Sequence, residues 1–202
     1  MIINYLKQVN YKINVKMIIL KLKNKDELKA KAGAKNTLAF CGLCPPWNFS
    51  KEEIDNLGKD LNAEIVKIPM LCNRPELSMD SGRNIFVLAC GAGVQAVADA
   101  LNKTVIPAAD TIGIGVKNKD GSISKYCIAC GDCMIDETGS ICPKARCEKS
   151  LLNGPCAGVH GGLCELSTKE TPIKCGWNEI CARMVKNGEK DKLIKARMHK
   201  VN

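Results

Sequence analysis

The sequence predicts an α/β protein in which a small open parallel sheet with helices is followed by a loop-rich, Cys-rich metal-binding domain. Short apolar runs alternate with helical periodicity over residues 26–115, the order that is typical of a parallel sheet. Residues 127–175 hold eight of the thirteen cysteines among many glycines. We therefore expect an arm over 1–25, the α/β domain over 26–115, the Cys-rich domain over 116–185 and a basic tail over 186–202.

Caps and periodicity predict the elements of the α/β domain. Ser50 with Glu53 forms a capping box. Ile54, Leu57 and Leu61 then recur on one face of the helix that follows. The same criteria predict helices over 26–34 and 94–101 and strands over 36–41, 63–68, 84–89 and 104–107. We interpret 116–126 as a polar connection between domains and the basic tail as a solvated, frayed helix.

The first sixteen residues contain no acidic side chain, and three interpretations are open. The stretch is a disordered arm, an organellar presequence, or upstream sequence before a true start at Met17. Presequences are usually rich in arginine and serine, which this stretch lacks, so we favour Met17 as the start.

Charge and cysteine usage limit the function classes. The formal charge of +9 suggests nucleic acid as a partner. However, three four-thiolate metal sites of about −2 each would lower it to about +3, so we expect no nucleic-acid partner. The apolar run 17–20 is too short for a signal or a membrane span, so we expect a cytoplasmic protein with no membrane. In a reducing cytosol, closely spaced cysteines favour metal ligation over disulfides.

A first set of cysteines lies at the predicted strand ends. Cys41, Cys72 and Cys90 each follow a strand, and Cys44 lies one turn beyond Cys41. Because the carboxyl ends of parallel strands meet at one edge of the sheet, these thiols can form a four-Cys metal site. The alternative is that Cys72 and Cys90 are ordinary buried apolar residues.

The glycines after Cys90 have two interpretations. Gly91 and Gly93 fit the G-x-G-x-x-A dinucleotide fingerprint, and Asp110 lies about where a ribose-binding acid would be. Their position beside strand-end cysteines favours a different role, in which the backbone approaches a cluster and donates N–H groups to its sulfurs.

A second and a third set follow in the Cys-rich segment. The second set has C-x2-C-x2-C spacing and a cysteine followed by Pro143, close to the ferredoxin pattern that holds a 4Fe–4S cluster. Its members are Cys127, Cys130, Cys133 and Cys142. The third set suits zinc or iron–sulfur and consists of Cys147, Cys156, Cys164 and Cys175. Cys142 and Cys147 could exchange between sets, and Gly154 and Gly158 supply tight turns and N–H groups around metal-bound sulfur.

Two residues near the end of the Cys-rich segment have structural interpretations. Cys181 is left over and is interpreted as a core residue, and Trp177 as the anchor of the last helix.

Catalytic motifs are missing from the sequence. There is no G-x-S-x-G, H-E-x-x-H or P-loop, and the two histidines, His160 and His199, lie in a glycine-rich segment and in the tail. We assign no catalytic residue and expect an electron carrier or a metal-organised subunit.

The Cys-rich segment resembles a known family. The stretch from Cys142 through Cys156 and Cys164 to Trp177 is similar to the cysteine-rich C-terminal module of methylenetetrahydrofolate reductase systems. The stretch from Cys90 to Asp110 resembles the α/β part of the small iron–sulfur (MetV-type) subunit of anaerobes and acetogens. Two positions depart from the family pattern: Asn48 stands where the family has a third cysteine, and Ala157 replaces a glycine before Gly158.

The resemblance implies an electron-transfer subunit of a methylenetetrahydrofolate reductase complex. Its partner would be a flavin-bearing catalytic subunit, with other redox subunits as further candidates. The expected cofactors are two 4Fe–4S clusters and a third four-Cys site holding zinc or iron–sulfur. The alternative is a zinc-organised structural module that supports a reductase or methyltransferase partner.

Overall fold

The structure, a computed structural model, describes residues 17–73, 77 and 83–198. Residues 1–16 of the arm expected over 1–25, and His199, therefore lie outside the described residues. The chain divides into two compact units, 1–112 (unit 1) and 113–202 (unit 2), three residues before the boundary expected at 115. Among the described helices, none is long and apolar enough to cross a membrane.

Unit 1 contains a four-stranded parallel sheet with the order β3-β2-β4-β5, which confirms the predicted α/β class. Its elements are β1 (Ile18–Leu22), α1 (Lys25–Lys29), β2 (Asn36–Cys41), α2 (Pro45–Asn48), α3 (Lys51–Asp60), β3 (Ala63–Ile68), β4 (Asn84–Leu88), α4 (Gly91–Leu101) and β5 (Ile106–Pro107). The helix predicted over 26–34 ends at Lys29, and β1 was not predicted.

The central strands β2 and β4 are buried on both faces of the sheet, since alternate residues of a strand point to opposite sides and each side packs against an apolar cluster. Phe86 of β4 packs in one apolar cluster with Leu57 of α3. The next residue, Val87, packs in a second cluster with Val97 of α4. The central strands β2 and β4 therefore read as continuous apolar runs, and their positions are set by packing on both sides.

Asn48 ties β1 to the loop that carries two cysteines. Its side-chain oxygen accepts a hydrogen bond from the backbone N–H of Leu20 at 2.9 Å. Its amide donates to the carbonyl oxygens of Ile18 at 2.9 Å and Cys44 at 2.8 Å. These three bonds need an acceptor and two donors on one short side chain, which asparagine provides and cysteine does not.

Replacing Asn48 by alanine is expected to lower the free energy of unfolding by about 1–3 kcal/mol, since buried backbone groups lose their partners. Urea unfolding measures the change. Asn118→Ala is the matched control, because Asn118 also makes two side-chain hydrogen bonds but in an exposed turn. For that control we expect the free energy of unfolding to fall by less than about 0.5 kcal/mol. Equal effects of the two substitutions would contradict the structural role of Asn48.

Unit 2 combines a hairpin, short helices and loops. Its elements are the second part of β6 (Ala109–Lys117), β7 (Ile123–Cys127), a 3-10 turn (Ile135–Glu137), α5 (Pro143–Arg146), α6 (Gly176–Lys186) and a second 3-10 turn (Lys190–Ile194). The stretch 116–126, interpreted as a connection, forms most of an antiparallel hairpin in which Val116 lies opposite Ser124. Between residues 147 and 175, regular pairing is limited to isolated bridges at His160, Leu163 and Lys174.

The core of unit 2 forms on one face of α6. Trp177, Ile180 and Met184 recur at helical spacing and are fully buried. The indole N–H of Trp177 donates to the carbonyl oxygen of Leu151 at 2.9 Å. Trp177 therefore anchors this helix against the cysteine-bearing loops of unit 2.

Over residues 189–198, the described part of the tail interpreted as a solvated, frayed helix, the chain does not extend α6, and for this part the interpretation was wrong. Arg197 is only 6% exposed and stacks on the Trp177 ring at 5.8 Å. Its guanidinium donates to the carbonyl oxygens of Glu137 at 2.7 Å and Lys192 at 3.0 Å. The chain therefore turns back after Lys186 and closes over the core.

Candidate functional site

The first set is carried by three neighbouring parallel strands. Cys41 is the last residue of β2, and Cys90 is the N-cap of α4, two residues after β4. Cys44 is the N-cap of α2. Cys72 follows β3 by four residues and is exposed, whereas Cys41 and Cys44 are buried. All four residues lie at or just beyond the carboxyl ends of parallel strands, as the strand-end hypothesis requires.

The thiols of the first set perturb one another. A hydrogen bond from Cys44 is the main cause that lowers the pKa of Cys41 to about 5 and the pKa of Cys90 to about 6. The pKa of Cys44, which donates to both, is raised well above its usual value. Burial, followed by the negative charges of Cys90 and Cys41, raises the pKa of Cys72. The Cys44 thiol is therefore within hydrogen-bonding reach of Cys41 and Cys90, whereas Cys72 is affected by Cys90 and Cys41 through charge alone.

Backbone N–H groups also face this set. Those of Gly93 and Ala92 help to lower the pKa of Cys90. The N–H of Gly91 instead donates to the hydroxyl of Thr111 at 2.9 Å. At Gly93, a Cβ atom would lie 3.3 Å from the Cβ of Leu71, so a small residue is needed where the helix passes the Cys72 loop.

The second set lies at the surface of unit 2. Cys127 ends β7, and Cys142 is the half-buried N-cap of α5. Cys127, Cys130 and Cys133 are exposed. The backbone N–H of Ala129 donates to the Cys127 sulfur at 3.2 Å, an arrangement that suits a metal-bound thiolate.

A buried ion pair lies within the second set. The Lys144 ammonium contacts the Asp132 carboxylate at 2.7 Å, and the two side chains are 2% and 7% exposed. Asp132 stands between Cys130 and Cys133, and Lys144 follows Cys142 by two residues. Sequence reasoning missed this pair because no spacing pattern links a residue in a loop to one in the following helix twelve positions away.

The third set lines one small cavity. Cys147, Cys156, Cys164 and Cys175 all contribute to its wall, together with Lys149 and Trp177. The cavity measures about 10 Å³, roughly the space of one water molecule. Glu165, and after it Cys156, raises the pKa of Lys149, whose ammonium contacts Glu165 at 2.5 Å.

The glycines of the third set allow close packing. At Gly154, a Cβ atom would lie 2.6 Å from the Trp177 ring, and at Gly158 it would overlap the Glu165 side chain. Both positions therefore require glycine for close approach, which is a role beyond the N–H donation expected from sequence.

All thirteen cysteines are free thiols. Within residues 17–73, 77 and 83–198, no three Cys, His, Asp or Glu side chains are arranged so that they could hold a metal ion as they stand. The donor chemistry nevertheless fits soft metals, because each set offers four thiolates and thiolates favour zinc and iron–sulfur centres. Metal binding would have to draw these sulfurs closer together, and such coupling of ligation to local folding is common.

Cys181 stands apart from the three sets. It is half-buried on α6 and packs beside the Trp177 cluster. Burial, and after it the negative charge of Cys175, raises the pKa of the Cys181 thiol. Its surroundings agree with the interpretation as a core residue.

Comparisons with known proteins give one finding. Residues 106–202, just under half of the chain, match a family model described as Methylene-tetrahydrofolate reductase C terminal. No curated protein and no solved structure matches the chain. The match includes the second and third sets and leaves out the first. The cysteine-bearing C-terminal part of this chain is therefore similar to the C-terminal domain family of methylenetetrahydrofolate reductases.

Proposed function

We propose that this protein is an electron-transfer subunit of a methylenetetrahydrofolate reductase complex, with 4Fe–4S clusters on the first and second sets. The observation that carries the proposal is the family match over residues 106–202, in which eight of the nine cysteines belong to the two four-Cys sets. Bound clusters would supply one-electron redox chemistry. The flavin that receives the electrons, and the reduction of the folate, would belong to a partner catalytic subunit.

The second set is where we place electron exchange with the partner. Cys127, Cys130 and Cys133 are exposed, and the neighbouring side chains of Tyr126 and Ile128 also reach solvent. An exposed thiolate set within an apolar rim allows close approach of another protein. The chain's own contribution here is to expose one edge of the set and to orient its thiols.

For the third set we propose a single zinc ion. A cavity of about 10 Å³ bordered by four cysteines suits one ion held at Zn–S distances of about 2.3 Å better than a four-iron cluster. This ion would hold together loops that have little regular pairing of their own. The second candidate function, a zinc-organised structural module without electron transfer, follows if all three sets take single ions.

Metal analysis tests the proposal. Protein purified and reconstituted without oxygen is expected to contain about eight iron and eight sulfide atoms, as two 4Fe–4S clusters require, and about one zinc. EPR spectroscopy after dithionite reduction should show two cluster signals. Cys44→Ser and Cys130→Ser should each remove one signal, and Cys181→Ser, outside the sets, should remove none. Zinc without acid-labile sulfide would overturn electron transfer and favour the structural module.

The partner requires a separate assay. The reconstituted chain, reduced by dithionite and freed of excess reductant, is mixed with a flavin-bearing methylenetetrahydrofolate reductase subunit. Bleaching of the flavin absorbance at the expense of the cluster signal is the expected result. Retention of both spectra would contradict this partner assignment even if the metal content is as proposed.

A further inference from the structure

A lysine and an aspartate are buried together in a unit with a small core. The Lys144 side chain is 2% exposed and the Asp132 side chain 7%. Removing two charges from water is unfavourable, so a buried pair is weak evidence for stability and suggests a requirement for charge at that place. Few residues of unit 2 are more deeply buried, and the pair lies on the same loops as the second set.

The Lys144 ammonium and the Cys130 thiol contact the same backbone carbonyl group. The Lys144 ammonium contacts the carboxylate of Asp132 at 2.7 Å and also its backbone carbonyl oxygen at 3.4 Å. The Cys130 sulfur contacts that same carbonyl oxygen at 3.7 Å. The pair is neutral as a whole, but its cation is placed beside a ligand of the second set.

The charges of Lys144 and Asp132 should change the reduction of a cluster on the second set in opposite directions. Four thiolates with zinc or an oxidised 4Fe–4S core carry about −2 overall. When a cluster on the second set takes up one electron from dithionite, which is oxidised, the set gains one more negative charge. A cation in a low-dielectric site favours that change, and a nearby carboxylate opposes it.

We infer that Lys144, oriented by Asp132, is the fixed counter-charge of the second set and favours both metal retention and reduction there. The inference deepens the proposed function and rests on it for the redox part. Lys144 acts as a positioning residue, because it acts through Cys130 and does not itself hold the metal. It also joins the loop of Cys130 and Cys133 to the helix that follows Cys142.

Variants of the full chain separate charge from simple packing. Lys144→Met removes the cation, Lys144→Arg keeps it, and Asp132→Asn leaves the cation without its counter-charge at nearly the same shape. Lys149→Met is the matched control, because the Lys149–Glu165 pair is 31% and 41% exposed and borders the third set. Solvent screens such an exposed pair, so the Lys149→Met substitution should leave the properties of the second set unchanged.

The redox readout is an EPR-monitored titration of the second-set signal. Lys144→Met is expected to lower the equilibrium constant for reduction about tenfold, which is about 59 mV for one electron. Asp132→Asn should raise this equilibrium constant. Lys144→Arg and Lys149→Met should leave it near the wild-type value. Shifts of the same sign for Lys144→Met and Asp132→Asn, or no shift, would overturn the inference, since loss of packing alone gives no sign reversal. If Lys144→Met does not load, Asp132→Asn and Lys144→Arg still provide the test.

A second readout keeps the inference distinct from the proposed function. If metal analysis finds zinc on the second set, electron transfer fails, but the counter-charge can still be measured by competition for zinc with a chelator. Lys144→Met should then weaken zinc retention at the second set about tenfold, within the range typical of residues that support metal ligands. Asp132→Asn should not weaken it. Equal weakening by both variants would show that the pair is only a structural link.

Discussion

Cys164→Ser is expected to remove the metal from the third set and to unfold the loops between residues 147 and 175. These loops have only isolated bridges as regular structure, and their cysteines surround one small cavity. In small zinc modules, apparent metal-binding free energies of about 10–16 kcal/mol are at the same time folding free energies. Loss of one of four thiolates should therefore change the state of the whole segment.

Zinc analysis and limited proteolysis check this result. Trypsin should cut at Lys149, Lys169 and Lys174 in Cys164→Ser and spare them in the wild type. Cys181→Ser is the control, because it removes a half-buried thiol of unit 2 that belongs to no set. If Cys164→Ser retains zinc and resists trypsin like the wild type, the third set is not a four-thiolate site.

Trp177→Ala is expected to destabilise unit 2 by about 3–5 kcal/mol, the usual range for deleting a buried aromatic side chain. Trp177 is 1% exposed and packs with Ile180 and Met184. Its loss also removes the hydrogen bond to Leu151 and the close contact of the indole ring with Gly154.

Denaturant unfolding, followed by a signal from unit 2, measures the effect. Trp177→Phe is the matched variant: it keeps much of the apolar area but loses the indole N–H, so it should cost clearly less than alanine. A cost below about 1 kcal/mol for Trp177→Ala would mean that α6 is held by other contacts. Similar costs for both variants would assign the stabilisation to the hydrogen bond instead of the packing.

Local signals predicted the parallel sheet well. The strands expected over 36–41 and 63–68 have these same bounds in the structure. The capping box also forms, since the Ser50 hydroxyl accepts from the N–H of Glu53 at 3.1 Å and the Glu53 carboxylate accepts from the N–H of Ser50 at 2.7 Å. The capping box depends on residues that are close in the sequence. Strand β2 is an apolar run buried on both faces, and β3 is a short run rich in β-branched residues that pairs with it.

Features that depend on distant partners could not be predicted in this way. In the sequence, strand β1 is visible only as a short apolar run, because its hydrogen-bonding partner β6 lies far along the chain. The pairing of Lys144 with Asp132 and the burial of Arg197 against Glu137 likewise join residues from separate segments of the chain. The cysteine spacings predicted the sets, but only the structure relates the third set to a common cavity and the first to mutually perturbed thiols.

The two kinds of scaffold that carry the thiols imply an order of maturation for the metal sites proposed above. The first set stands on strands whose apolar core is complete within unit 1, so the scaffold of its thiols forms before any metal is bound. The third set stands on loops with little regular pairing, so on the proposed zinc content these loops would stay open to proteases until an ion bound. A chain made during metal shortage would then be degraded from its second half, and the amount of full-length protein would report metal delivery.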